Sequence, residues 1–213
     1  MHISEGILSA PVLVSGAAFA VAGIAVGLKK LDNNQIPQAG ILAAAFFVAS
    51  LVHVPIGPSS VHLVLNGIVG LLLGWAAFPV IAVALVLQAV LFQFGGITTL
   101  GVNTLIMAGP AVACYYLCGP LVKKSHAIAL AGAFACGALA ILLSALCVAG
   151  ALVLTGEAFL EISVALVGAH IVVMMIEGIV TMFCAAFLKK VQPQMLPMAQ
   201  NRVKSPARKS LSP

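Results

Sequence analysis

Apolar residues run along this chain in long stretches, broken by Gly, Pro, Asn and Lys. The stretches near 7–28, 36–54, 60–75, 77–94, 103–122, 127–154 and 159–188 predict about seven helices. The third is short for a membrane span. The segment before it, HVPIGPSSVH, cannot be continuous helix through Pro55, Gly57 and Pro58. Irregular backbone at membrane depth is tolerated only where it is buried in protein or lines a cavity.

Composition turns this pattern into a fold class. Of 213 residues, 62% are hydrophobic and 7% charged, with mean hydropathy +1.20, whereas globular domains carry about 25% charged residues. So few charges cannot build a water-soluble surface. Spans of roughly 20 residues with short loops use up nearly the whole chain. The expectation is an all-α integral membrane protein with a transmembrane unit over 1–191. The tail, 192–213, is rich in Pro, Ser and basic residues and reads as disordered.

Charge gives the orientation. Lys29 and Lys30 follow helix 1, Lys123 and Lys124 follow helix 5, Lys189 and Lys190 follow helix 7, and Arg202, Lys204, Arg208 and Lys209 lie in the tail. Seven spans with the N-terminus outside and the C-terminus in the cytoplasm put all of them on the cytoplasmic side of a bacterial or archaeal cytoplasmic membrane. The acids Glu5, Glu157 and Glu161 then fall outside. The net charge of +5 comes without aromatic interleaving, which argues against nucleic acid. MHISEGILSAP lacks the basic n-region of a secretory signal, so the first span is expected to stay in the mature protein. Cys114, Cys118, Cys136, Cys147 and Cys184 lie within predicted helices without a CxxC spacing and read as small packing residues.

The chemistry starts at the first two residues. The amine of Met1, the amide nitrogen of His2 and the Nδ1 of His2 can close a five- and a six-membered ring around one metal ion, leaving a fourth corner open. A planar nitrogen set suits Ni²⁺ or Cu²⁺. His53 and His62 flank the Pro/Gly loop on the same predicted side, and either could fill that corner. Thr98, Thr99 and Asn103 in GGITTLGVNT, with Gln93 and Asn66, are candidates to hydrogen-bond metal-bound imidazoles; the same Gly, Thr and Asn could equally form a plain re-entrant turn. Glu5 either holds the N-terminal segment or is solvated charge. His170 and Glu177 share a face of helix 7, which reads as a hydrogen-bonded structural pair ahead of a proton relay.

The segments VPIGPSSVHLVLNGIVGLLLGWAAFP and FQFGGITTLGVNTLIMAGPAV, the opening MHISEG and the IEG of Ile176 to Gly178 together resemble the CbiM/NikM family. These are the substrate-capturing subunits of energy-coupling-factor transporters for nickel and cobalt. The resemblance implies a site formed by Met1, His2 and the imidazole of the SVH segment, here His62. It favours nickel, because cobalt members look more like SHPTGT where this chain reads SSVHLVLNG; cobalt is the second choice. It also implies a transmembrane coupling subunit, partner ATPases and a small auxiliary membrane subunit. No Gly-Lys-Ser/Thr nucleotide loop exists in the sequence, and neither an enzyme constellation nor an organic cofactor is expected. The competing reading is a stand-alone carrier or channel for a divalent transition metal.

Overall fold

In hydrocarbon every backbone N–H and C=O must be satisfied within the protein, and this chain does so with helices. The computed structural model describes residues 2–56 and 59–196, with the backbone alone at 53–56 and 59–61. Among these residues lie seven α-helices: α1 Ala10–Lys30, α2 Ile36–Ala49, α3 Asn66–Leu73, α4 Ala77–Phe92, α5 Leu100–Val122, α6 His126–Thr155 and α7 Leu160–Val191. The number matches expectation; seven full spans do not. Five stretches are long and apolar enough to cross a membrane, Ala10–Lys30, Asn66–Phe92, Leu100–Val122, His126–Thr155 and Glu157–Val191. The α2 helix has 14 residues and α3 only 8.

Helix 2 was expected to run to 54 and helix 3 to begin at Ser60. Both boundaries are corrected by a hairpin, β1 His53–Ile56 and β2 Ser59–His62, in which His53 stands opposite His62. Pro55 and Pro58 disfavour the helical conformation in the residue before each, and Val54, Ile56 and Val61 prefer extended backbone. The two strands satisfy each other where a helix could not form.

From the hairpin the chain enters α3, all of whose residues are buried. A Cβ at Gly67 would lie 2.6 Å from the Cα of Gly137, and one at Gly70 would collide with the carbonyl of Ala111. Glycine is therefore what lets α3 lie against α5 and α6. Asn66, Gly70 and Gly74 sit beside Met107, Ala111 and Tyr115 in turn, so α3 runs parallel to α5. At Gly74 (φ +55°, ψ −123°) the chain reverses into α4. The stretch 66–92 is thus two helices folded back on each other and not one straight span, with a break close to the one expected between 75 and 77.

The remaining helices alternate. Gly16 of α1 meets Val102 near the start of α5, whereas Gly23 and Gly27 meet Phe78, Trp75 and Pro79 at the start of α4. The small residues of α1 are thus spent on internal packing. The α6 and α7 helices form an antiparallel pair, with Gly137 against Glu177 and Thr181 and Gly178 against Phe134. One end of the bundle collects the lysines: Lys30 lies 5.2 Å from the Trp75 ring, and the Nζ of Lys189 donates to the carbonyl of Lys124 at 3.3 Å. The residues discussed next occupy the opposite end.

Candidate metal centre

Residues 2–9 precede α1 and turn back into the bundle. The anchor is Asn103 on α5, itself buried. Its Oδ1 accepts the Ile3 N–H at 3.0 Å, and its Nδ2 donates to the Ile3 carbonyl at 3.1 Å. One side chain here holds a residue as a neighbouring β-strand would. The Nδ2 group also donates to Thr99 Oγ1 at 3.2 Å, and Gly95 (φ +77°) brings the loop so close that a Cβ there would lie 2.8 Å from it. Glu5 accepts from the Thr98 N–H at 3.1 Å, and the Ser9 N–H donates to Thr155 Oγ1 at 3.3 Å. Three separate elements therefore fix the path of the segment.

That path delivers His2 to its neighbours. The Nε2 of His2 lies 2.7 Å from Gln88 Oε1, its ring stacks on that of His62 at 5.0 Å between centroids and 25° between planes, and Phe94 closes one side at 6.0 Å. A carbonyl oxygen only accepts, so Nε2–H donates and the neutral ring keeps its lone pair on Nδ1. For His62 the order is reversed. Its Nδ1 faces the Leu63 carbonyl at 2.9 Å and donates to it, which leaves the lone pair on Nε2.

His62 is held from behind by α7. The Glu177 carboxylate accepts the N–H groups of Val64 and Leu65, at 2.9 and 3.1 Å in the latter case. Leu65 is left-handed (φ +59°) and directly precedes α3. A negative charge at the N-terminal end of a helix is favoured, and here it also ties the strand carrying His62 to the longest helix of the bundle. Glu177 is fully buried, and these contacts are what accommodate it there.

The expected residues separate accordingly. His2 and His62 come together; Glu5, Thr98, Thr99 and Asn103 form the clamp on the segment carrying His2, with Thr98 acting through its backbone. Asn66 lies deeper, donating to the Met107 carbonyl at 3.1 Å and to Ser144 Oγ at 2.9 Å, and so anchors α3 rather than an imidazole. Gln93 is exposed at the end of α4 with φ +57°; the glutamine that reaches His2 is Gln88, one turn earlier. His170 and Glu177 do not bond to each other, because His170 donates to the Leu166 carbonyl at 2.7 Å while Glu177 serves Val64 and Leu65. Met1, the side chain of His53 and residues 197–213 lie outside what is described. Sequence reasoning missed Gln88, Ser50 and the capping role of Glu177. A lone amide in an apolar helix is costly unless bonded, and that cost was the available signal for Gln88.

A family model described as the cobalt uptake substrate-specific transmembrane region, CbiM, matches residues 2–195. The chain belongs to the CbiM family. It is a membrane component of cobalt or nickel transport, and not an enzyme. A putative metal transport protein of Haemophilus influenzae is 41% identical over 204 residues, covering 94% of this chain and 99% of the relative. The fused nickel transport protein NikMN of Rhodobacter capsulatus is 41% identical over 121 residues, which is 53% of this chain and 35% of that longer protein. The cobalt transport protein CbiM of Clostridium tetani is 34% identical over 142 residues, 61% of this chain and 58% of the relative. Among solved structures, a transition metal transporter superposes with a TM-score of 0.71 at 26% identity, covering 90% of this chain and 93% of the other. CbiM proteins are transport components that act with partner subunits.

Proposed function

We propose that this CbiM protein is the substrate-specific subunit of an energy-coupling-factor importer, which captures Ni²⁺, with Co²⁺ as second choice, from outside a bacterial or archaeal cytoplasmic membrane. The ligands are the Met1 amine, the His2 amide nitrogen and Nδ1, and His62 Nε2. The observation that carries this reading is the 5.0 Å stack of His2 on His62. In a planar chelate the open corner lies opposite the amide and next to the imidazole, so the two rings must stand side by side. Metal to nitrogen bonds of about 2 Å allow one ion to reach both.

Among the described residues no group of three His, Cys, Asp or Glu side chains converges. In this reading an ion bound at His2 and His62 draws its further donors from the main chain, the amino-terminal amide and amine being the nearest in sequence. Amide deprotonation in a square plane favours nickel over cobalt, in keeping with the nickel relative that matches at 41% identity. The lysines gathered at the end remote from His2 support an outward-facing site and a cytoplasmic C-terminus.

A transmembrane coupling subunit and partner ATPases supply the energy, with a small auxiliary membrane subunit, because the chain carries no nucleotide loop of its own. A stand-alone carrier would need titratable groups free to relay the ion or protons, and Glu177 is occupied in capping the 62–65 segment. The test is metal content, by mass spectrometry, of the protein with its native N-terminus, of a form with two residues added before Met1, and of His62→Ala. One equivalent of Ni²⁺ in the first and none in the others is expected. Equal binding by all three would remove this ligand set.

A further inference from the structure

A chain of hydrogen bonds reaches His2 from two helices that hold none of the proposed ligands. Ser50, directly after α2, donates its single hydroxyl proton to the Phe47 carbonyl at 2.7 Å. A backbone carbonyl can only accept, so the direction of this first bond is fixed by the fold. Toward Gln88 of α4, 2.8 Å away, Ser50 Oγ is then an acceptor, and the amide must present Nε2 to it. The other end of the same amide, Oε1, necessarily faces His2 Nε2 at 2.7 Å. Gln88 and Ser50 are both buried, at 0% and 1% exposure, so water does not compete for these contacts and the amide has no cheap reason to turn over.

We infer that Ser50 and Gln88 are positioning residues for metal capture, a relay that fixes the tautomer and the ring orientation of His2 so that Nδ1 meets the ion. The inference rests on the reading of His2 as a ligand. The logic is geometric. Only Nδ1 can close the six-membered ring with the His2 amide, and a proton on Nδ1 would abolish the chelate. Gln88 keeps the proton on Nε2, and Ser50 keeps Gln88 from presenting an NH₂ group instead, which would hold the wrong tautomer. An acceptor on the remote nitrogen also raises the basicity of the ligating one. Loss of such partners typically weakens metal affinity about 10- to 100-fold.

The experiment has two arms, on the full chain in detergent with its native N-terminus. In the first, Ni²⁺ affinity by competition and the visible absorption of the Ni²⁺ complex are measured for Gln88→Met, Gln88→Glu, Ser50→Ala and Ser50→Thr, alongside the unfolding midpoint of each. Gln88→Met and Ser50→Ala are expected to bind at least about tenfold more weakly. Ser50→Thr keeps the hydroxyl and should stay near wild type, whereas Gln88→Glu keeps the acceptor toward His2 but sets a second acceptor against Ser50 Oγ, so its affinity should fall between those of wild type and Gln88→Met. Packing alone would not produce this rescue pattern. Wild-type affinity in Ser50→Ala and Gln88→Met overturns the inference.

The second arm needs no metal and no variant. Nitrogen-15 shifts of the labelled His2 ring in the metal-free wild type should report a protonated Nε2, and a protonated Nδ1 overturns the relay even if the variants fail to fold. Failure of the wild type to take up Ni²⁺ at all would count against the ligand reading instead, and the ring measurement separates the two.

Discussion

At the scale of single residues, the most consequential side chain outside the proposed ligands is Glu177. It sits in the middle of a membrane helix, yet its bonds go to the backbone of Val64 and Leu65, just beyond His62. Replacing it with Gln keeps the shape and an oxygen for both N–H groups, but turns Oε2, which accepts from the Leu65 N–H at 3.1 Å, into a buried NH₂ donor facing another donor. A buried unsatisfied donor costs about 1–3 kcal/mol. Glu177→Gln is therefore expected to lower the thermal unfolding midpoint in detergent and to weaken Ni²⁺ binding together, and an unchanged midpoint would speak against the cap. Much of this region was legible in the sequence. Asn103 and Thr99 were named as candidates to hydrogen-bond metal-bound imidazoles and instead clamp the backbone of Ile3, while Glu5, read as either holding the N-terminal segment or solvated charge, bonds the Thr98 N–H. Gln88 was passed over for Gln93, since the sequence does not say which turn of a helix faces inward when every turn is apolar. The pairing of His170 with Glu177 failed for a related reason. Seven residues of spacing puts both on one face of α7, but the carboxylate found backbone donors on a segment more than a hundred residues earlier.

At the scale of elements, the informative piece is α3, short and wholly enclosed. Its glycines are steric requirements: at Gly67 any side chain meets the Gly137 backbone within 2.6 Å. Gly67→Val should prevent α3 from seating between α5 and α6, with loss of the monodisperse, folded protein in size-exclusion chromatography. Gly74→Ala, where a Cβ would lie 3.3 Å from the Tyr115 ring and the backbone holds a positive φ of +55° with ψ −123°, should cost about 1–3 kcal/mol and leave a folded chain. If both behave alike, the close approach is not what glycine serves. The sequence told that a continuous helix was impossible through Pro55, Gly57 and Pro58, but not that the alternative is a hairpin. Strand pairing here joins residues from three to nine positions apart and carries no periodic hydrophobic signal at this length. Helix ends in α5, α6 and α7 were read to within a few residues because charges and Gly mark them.

At the scale of the whole molecule, the bundle is polarised, with the lysines at one end and His2, His62 and Glu5 at the other. The site at the far end gives a pH dependence with a definite sign. Free imidazole titrates near about 6.5 and an α-amine near about 7.7–8.0, and each must shed its proton to bind metal. Affinity for Ni²⁺ should thus rise with pH and be lost near pH 4, with proton release visible by calorimetry in buffers of different ionisation enthalpy. Undiminished binding at pH 4 would exclude the proposed donors. Fold class was readable because composition alone rules out a soluble surface; the way the ends meet was not, since it depends on contacts between distant parts of the chain.

Those distant contacts also set an order of assembly. His2 and Ile3 are synthesised long before their partners, Gln88 lying 86 and Asn103 100 residues further on. The clamp cannot close until α5 has been threaded into the membrane, whatever the earlier helices have done. The N-terminal segment is thus fitted only after α1 to α5 have been made, and a newly made chain passes through a stage in which several helices are in place but that segment is still unseated.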